Sequence, residues 1–534
     1  MKRNIINIVI TIIIGLIIFY FTLPAINLNN PGFYVFLSFL IIIYGVLDAF
    51  TNKKVEIIKK NHKFRLELNN LAGKLPICIG IVVCLFIVSV IINFICSPVF
   101  NAKSYQSRIT VEEGDFTKEI EEVNFNQLPL LDKDSSQVLG DRVMGEISEL
   151  VSQFYVSELY TQINYNNDII RVTPLEYADF FKWLSNKKEG VVDYISVNSV
   201  NGESKLTRLD KGMKYVSSAF FNDNLERKLR FNYPTENFGK ISFEIDNEGK
   251  PYYIITTIDY TAVGLKAKVS GVIIMDPVTG ESKKYKIDEI PSWVDVAYSA
   301  DLIIEQVDDW GSYKKGFWNS IFGQKNVVNT TDGYNYLAMN DDIFLYTGIT
   351  SVVSDESNLG FILSNMRTGA TTYYAVPGAE EYSAMSSAEG QVQDMGYTST
   401  FPLLINLNGV PTYLVSLKDS NGLVKMYGFI DVKDYQKVVV TDSSKGILVA
   451  KDNYLQTIHR DIDENSLITE TIKVTNVNSA IIDGFTYYYV EANDKKYKIS
   501  ISLSDTLPFL KSGDTLNIGY YETTNEIIDV KKIF

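Results

Sequence analysis

Hydrophobic and polar positions are unevenly spread along this chain, and the sharpest break falls near residue 100. Asn4 to Pro24 is an Ile-rich run of 21 residues without a charge; after the turn signal Asn29-Asn30-Pro31-Gly32 the apolar pattern resumes from Phe33 to Leu47, and Leu75 to Phe100 is a third uncharged stretch. A bilayer-spanning helix needs roughly 20 such residues. The pattern therefore predicts three transmembrane helices, at about 4–24, 33–49 and 76–99, with a polar loop over 50–74. Lys2-Arg3 would suit the flank of a secretory signal, but the first run is too long for a signal core and Leu23-Pro24-Ala25-Ile26-Asn27 has no small-residue cleavage pattern. It reads as an uncleaved anchor.

Past residue 100 the periodicity is that of a folded α+β region. Residues 101–190 read as mainly helical. Val143, Ile147, Leu150, Val151 and Phe154 form one stripe over Arg142 to Tyr160, and Thr173-Pro174-Leu175-Glu176 has the form of a capping box opening a helix with Phe180, Phe181 and Trp183, ended by Gly190. From 191 the spacing turns to strands, and twice in a similar way. Ile241 to Asp246, Ile254 to Ile258 and Gly271 to Met275 make one pass; Phe401 to Leu407, Leu414 to Leu417 and Met426 to Val432 make the other. Both contain a G-x-P-x-Y turn, Gly249 to Tyr253 and Gly409 to Tyr413, and Ser217-Ser218-Ala219 is matched by Ser386-Ser387-Ala388.

The first pass closes at Asp276-Pro277-Val278-Thr279-Gly280-Glu281. A helix followed by a three-stranded antiparallel meander ending in such a D-x-x-T-G-E turn resembles the PepSY type of module, over about 195–287 and 356–441. The second copy has Asp431-Val432-Lys433-Asp434 and lacks the T-G-E. The resemblance implies extracytoplasmic inhibitory, regulatory or protein-binding modules rather than enzymes. The resulting layout is a first PepSY-like unit at 191–290, a Trp-rich connecting segment at 291–355 and a second PepSY-like unit at 356–445.

Residues 466–534 read as five short strands: Ile468 to Val474, Phe485 to Glu491, Lys496 to Leu503, Thr515 to Tyr520 and Ile527 to Ile533. This count predicts a small OB-like β-barrel. Tyr487, Tyr488 and Tyr489 could stack bases, but no basic groove flanks them, and a structural or protein-binding role is preferred.

Charge sets the expected orientation. The chain has 50 basic and 64 acidic residues, a net −14; the first 100 residues hold nine basic and three acidic positions, the remainder 41 and 61. Lys53, Lys54, Lys59, Lys60, Lys63, Arg65 and Lys74 crowd the loop between the second and third runs, whereas Asn27 to Gly32 has no charge. Basic loops stay in the cytoplasm, which places the amino terminus inside and residues 101–534 outside. An acidic outer region argues against nucleic acid as a partner. All three cysteines (Cys78, Cys84, Cys96) fall in the third run, so the outer region has no disulfide.

Candidate chemistry is sparse. With two His in the chain, only His459 lies outside, in a polar linker, and it is expected to be solvent-accessible and dispensable. Ser312 and Lys315 have S-x-x-K spacing without the companion motifs of Ser-Lys acylases, and Asp308-Asp309, Asp341-Asp342 and Glu380-Glu381 lack the spacing of a calcium loop. Three of the four tryptophans, Trp293, Trp310 and Trp318, fall within 26 residues and are the candidate partner-binding positions. No catalytic residue, metal or cofactor is assigned. The sequence leads to a multipass cell-membrane protein acting as a non-enzymatic scaffold or regulator of a cell-envelope process, with the lipid bilayer and an envelope or membrane protein as partners. An accessory subunit of an envelope transporter and an envelope hydrolase using acidic residues are the alternatives; oligomeric state is left open.

Overall fold

A computed structural model of the protein describes residues 2–51, 54–60, 63–69, 73–352, 354–457, 467–482, 485–520 and 527–534. The chain divides into two compact units, Met1–Asp115 with Gln127–Ala375, and Phe116–Asn126 with Val376–Phe534. His459 lies outside the described residues.

The first unit opens with α1 (Lys2–Thr22), α2 (Pro31–Thr51) and α3 (Leu75–Ile95). Their mean hydropathies of 2.6, 2.2 and 3.1, and their lengths, are sufficient to cross a membrane. Gly15 and Gly45 permit close packing: a Cβ on Gly15 would stand 2.9 Å from Leu40 Cδ2, and one on Gly45 3.0 Å from Cys78 Cβ. The loop between α2 and α3 is an antiparallel hairpin of Lys54–Lys60 and Lys63–Asn69. The third helix ends at Ile95, short of the expected 99, because Ser97 precedes a proline and turns extended at ψ 164° before α4 (Pro98–Gln106) begins.

The rest of this unit is three modules, each pairing a helix with an antiparallel sheet. The first has α5 (Lys133–Gly145) and a sheet ordered Phe154–Val156, Asp168–Tyr177, Val191–Asn198, Ser204–Met213, with Thr161–Tyr165 also on Asp168–Tyr177. The second has α7 (Leu225–Asn232) and a meander of Asn237–Ile245, Pro251–Tyr260, Ala267–Met275 and Ser282–Tyr285; α6 (Phe180–Asn186) lies within the first module's sheet connections. The third has α8 (Ala300–Ser312) and strands Val328–Thr330, Asn335–Met339, Asp342–Ser351, Ser354–Asn365 and Thr371–Tyr374, to which Val111–Gly114 adds in parallel. The Trp-rich segment thus contains a helix and three strands of a sheet.

The second unit holds a fourth module, α9 (Glu381–Gly390) with strands Leu403–Leu407, Val410–Lys418, Val424–Asp431 and Val438–Asp442, followed by α10 (Ile447–Thr457). After it come two sheets, Ile468–Lys473/Thr515–Tyr520/Lys532–Ile533 and Asn476–Ile482/Phe485–Ala492/Lys495–Ser500/Ile527–Asp529, around a core of Ile472, Tyr497, Ile499 and Ile518. Asn476–Ile482 is a strand the five-strand reading did not contain.

One turn recurs in all four modules. The side chains of Asn198, Asp276, Asn365 and Asp431 each accept from the backbone N–H groups two and three residues on, an Asx turn. The next carbonyl, of Ser199, Pro277, Met366 or Val432, accepts an N–H from the segment leading to that module's helix: Leu131, Tyr215, Tyr298 or Ala379. Gly280 and Gly369 have φ +75° and +76°, and a Cβ there would come within 2.5 Å of the Tyr215 ring and 2.6 Å of the Tyr298 ring. Register agrees too: Tyr253 faces Met275, just before Asp276, and Tyr413 faces Ile430, just before Asp431. Ser218 precedes α7 whereas Ser387 is inside α9, so the Ser-Ser-Ala match falls on unlike elements.

One predicted helix is replaced and another starts later than expected. Over Arg142 to Tyr160 the chain forms the end of α5, one short turn and strand Phe154–Val156; of the five stripe positions Leu150 in the turn and Phe154 in the strand reach one core, while Val151 is exposed. Thr173 to Glu176 is strand, and α6 is capped instead by Asp179, which accepts from Phe181 and Lys182 N–H. Pro174 is tolerated there because its strand changes neighbours at that point, pairing Thr161–Tyr165 up to Val172 and Phe154–Val156 from Leu175.

Candidate functional site

The modules of the first unit are seated on one end of the three apolar helices by polar contacts. The last carbonyls of α1 have no intrahelical donor, and α7 supplies two: Arg227 Nε donates to Tyr20 O and Arg230 Nε to Leu23 O, each at 3.0 Å. Arg230 also donates to Tyr233 O and Glu236 O; burial lowers its pKa to about 10. Between α1 and α2, Ile26 N donates to Pro234 O and the Asn30 amide to Asn237. The Tyr260–Lys266 hairpin caps the end of α3, where Asn93 exchanges two hydrogen bonds with the backbone of Val263. Gly264 N donates to Asn29 O, and a Cβ at this position (φ +67°) would lie 2.6 Å from Pro31.

This seat fixes the Trp-bearing segment. Trp293 is half-buried against Tyr252, ring centroids 5.0 Å apart, in a cluster with Ile254, Ile274 and Val294. Trp310, on α8, packs on the third module's core with Lys314 Nζ 3.6 Å from its ring. Trp318 behaves differently: it is 62% exposed beside Ile321 (48%) and Phe322 (78%). The structure does not gather the three tryptophans on one surface patch; two are packing residues and one is on show, a separation that clustering along the sequence cannot make.

A cleft of about 770 Å³ opens beside Ser204–Met213, the terminal strand of the first module's sheet, with the Asp276 turn of the second module opposite. Lys205, Arg208 and Lys211 line it with Glu203, Glu248 and the Lys250–Asp276 ion pair, 2.9 Å. Its wall is charged in both signs and offers a strand edge, the combination that receives an extended polypeptide. No sequence motif marks it, because it is built from the ends of two modules.

Three of the acidic residues singled out from the sequence are structurally engaged. Asp309 pairs with Arg108 and Lys266, Asp342 with Arg367 and Asn365, and Asp308 accepts from Thr330. Ser312 Oγ donates to Asn329 rather than meeting Lys315. A pair of buried carboxyl groups lies elsewhere. Glu244 accepts from the Asp295 and Val296 N–H groups and the Ser242 hydroxyl, and Asp295 accepts from Asn164 N–H, so two carboxyl groups meet where the modules of the first unit join. Burial pushes Glu244 up to about 7 and raises Asp295 as well. Enclosed in the core, they join modules and have no access to substrate. Among the described residues no group of three or more His, Cys, Asp or Glu is placed to hold a metal. No family model and no curated protein matches the chain.

Proposed function

We propose that the chain is a multipass membrane protein whose modular region stands outside the cytoplasm and acts as a non-enzymatic scaffold or regulator of a cell-envelope process, by holding a protein partner. The basic hairpin between α2 and α3 supports the orientation, and the recurrent Asx turn supports reading the modules as tandem PepSY-like copies, with an OB-like pair of sheets at the carboxyl end. The observation that carries the interaction reading is the cleft, whose wall is an open strand edge with charges of both signs. An extended segment of an envelope or membrane protein adds there as a strand, with Lys205 and Arg208 meeting its acidic side chains.

A photo-crosslinker at Asp210 in the intact, membrane-borne protein is expected to capture one polypeptide reproducibly, and Lys205→Glu with Arg208→Glu to abolish the capture. Crosslinking that survives the charge reversal would overturn the cleft as the site. Hydrolysis of cell-wall polymer by the purified protein would replace the scaffold by an envelope hydrolase.

A further inference from the structure

The segment from Tyr313 to Asn326 contains three lysines, no acidic residue, and the three most conspicuous exposed apolar side chains of the third module, Trp318, Ile321 and Phe322. It is a preformed loop. One turn of π-helix, Asn319–Gly323, is closed by the Asn319 side chain, which donates to Lys325 O and accepts from Lys325 N–H, and by Gln324 N donating to Asn319 O. The Trp318 and Phe322 rings lie stacked, 5.9 Å apart with planes 12° from parallel. The pair still leaves both rings largely exposed, so the position of the loop decides what they meet.

That position is tied to the end of α3 by two independent routes. Tyr105 donates its hydroxyl to Cys96 O, at the last turn of α3, and its ring is 6.2 Å from that of Tyr313, which stacks on Phe317 beside Trp318. Lys266, next to the hairpin that caps Asn93, reaches Glu305 at 2.7 Å and Asp309 at 3.5 Å on α8, and Arg108 binds Asp309 and Ala267 O, so the carboxyl-terminal half of α8 is held at the level where the apolar helices end. Phe100, 62% exposed and edge-on to Phe94, continues the same apolar belt.

We propose that Trp318, Ile321 and Phe322 bed in the outer interface of the lipid bilayer, a monotopic contact beside the three spans. The case rests on the spanning assignment above. Trp and Phe favour the headgroup boundary, where their rings are half desolvated, and Lys315 and Lys325 around them suit anionic lipid phosphates in an otherwise acidic region. The contact continues the lipid-facing surface of α3, fixes the height of the third module over the membrane, and commits this face to lipid rather than protein.

The test uses the full chain in phosphatidylcholine–phosphatidylglycerol vesicles, with and without lipids brominated near the headgroup. Bromolipid is expected to quench the wild-type tryptophan fluorescence, and Trp318→Phe, conservative at an exposed site, to remove most of that lipid-dependent quenching while leaving Trp183, Trp293 and Trp310 in place. Aqueous iodide is expected to quench Trp318 little. Bromolipid quenching unchanged by Trp318→Phe, strong iodide quenching of Trp318, or its protection from both quenchers by a protein partner or a second copy would each overturn the proposal. Failure of the chain to float with vesicles would overturn the spanning assignment itself, a separate readout.

Discussion

The second and fourth modules share a helix, an antiparallel meander and the same aspartate turn, yet their helices are equipped differently. α7 places Arg227 and Arg230 against carbonyls at the end of α1, with the Arg227 guanidinium 4.3 Å from the Tyr20 ring. α9, Glu-Tyr-Ser-Ala-Met-Ser-Ser-Ala-Glu-Gly, has no basic residue with which to cap anything. The buried tyrosines at equivalent strand positions differ as well: Tyr413 donates to Ala379 O, while the Tyr253 hydroxyl is buried without a partner. The backbone design is thus common property, whereas the arginines that help seat the second module on the apolar helices, beside the Asn30, Asn93 and Gly264 contacts, belong to α7. The two units also respond to acid in opposite senses, through Glu244 in the first and Glu470 in the second.

The largest effect should come from the seat. Arg230→Ala strips a buried cation from carbonyls in the loop after α7 and at the end of α1, and is expected to destabilise the first unit by about 2–3 kcal/mol, read as a lower melting temperature of the full chain in detergent. An unchanged melting curve would dissolve the distinction between the two helices. Gly280→Ala comes next. A side chain at φ +75° that also meets Tyr215 should cost about 2 kcal/mol, whereas the fourth module has no glycine between Asp431 and Lys437 to lose.

Acid sharpens the contrast. Glu244, raised by burial from 4.5 to about 7, contributes stability that is complete below pH 4.5 and is lost as the pH rises through 7. Glu470, held near 2 chiefly by the Tyr520 hydroxyl with Asn493 and Lys495, contributes stability that is complete above 4.5 and is lost as the pH falls toward 2. Hydrogen exchange should therefore slow in strand Asn237–Ile245 between pH 7 and 5, after correction for the intrinsic rate, and quicken in Ile468–Lys473 below pH 4; Glu244→Gln and Glu470→Gln should each flatten only their own trend. The smallest difference lies between the tyrosines. Tyr413→Phe should cost about 1 kcal/mol and Tyr253→Phe close to nothing; equal losses would mean that the two positions are packed alike.

What was legible in the sequence follows from which signals are local. The three apolar helices are, because a run without charge has one meaning at 20 residues, and so is the Asp276 turn, whose Asp, Thr and Gly act within six positions. The stripe from Val143 to Phe154 was misleading because a core collects residues from helix, turn and strand, and spacing alone does not record where the backbone changes form. The module that begins in residues 291–355 shows the same limit: its turn begins with Asn365 rather than Asp, and two of its strands, Ser354–Asn365 and Thr371–Tyr374, reach past that segment. At the candidate surface, three tryptophans were visible as a group, but whether each meets the core or the exterior depends on α8 and α4, which come together from 200 positions apart. The cleft left no trace in sequence because it is the space between two modules.

The central proposal is that the modular region stands outside the cytoplasm, on the side of the membrane opposite the basic hairpin. A phosphatase reporter that becomes active only outside the cytoplasm tests it directly in the full chain. It should be inactive when inserted after Lys74 and active when fused after Phe534; the reverse pattern would put the modules inside and contradict the account.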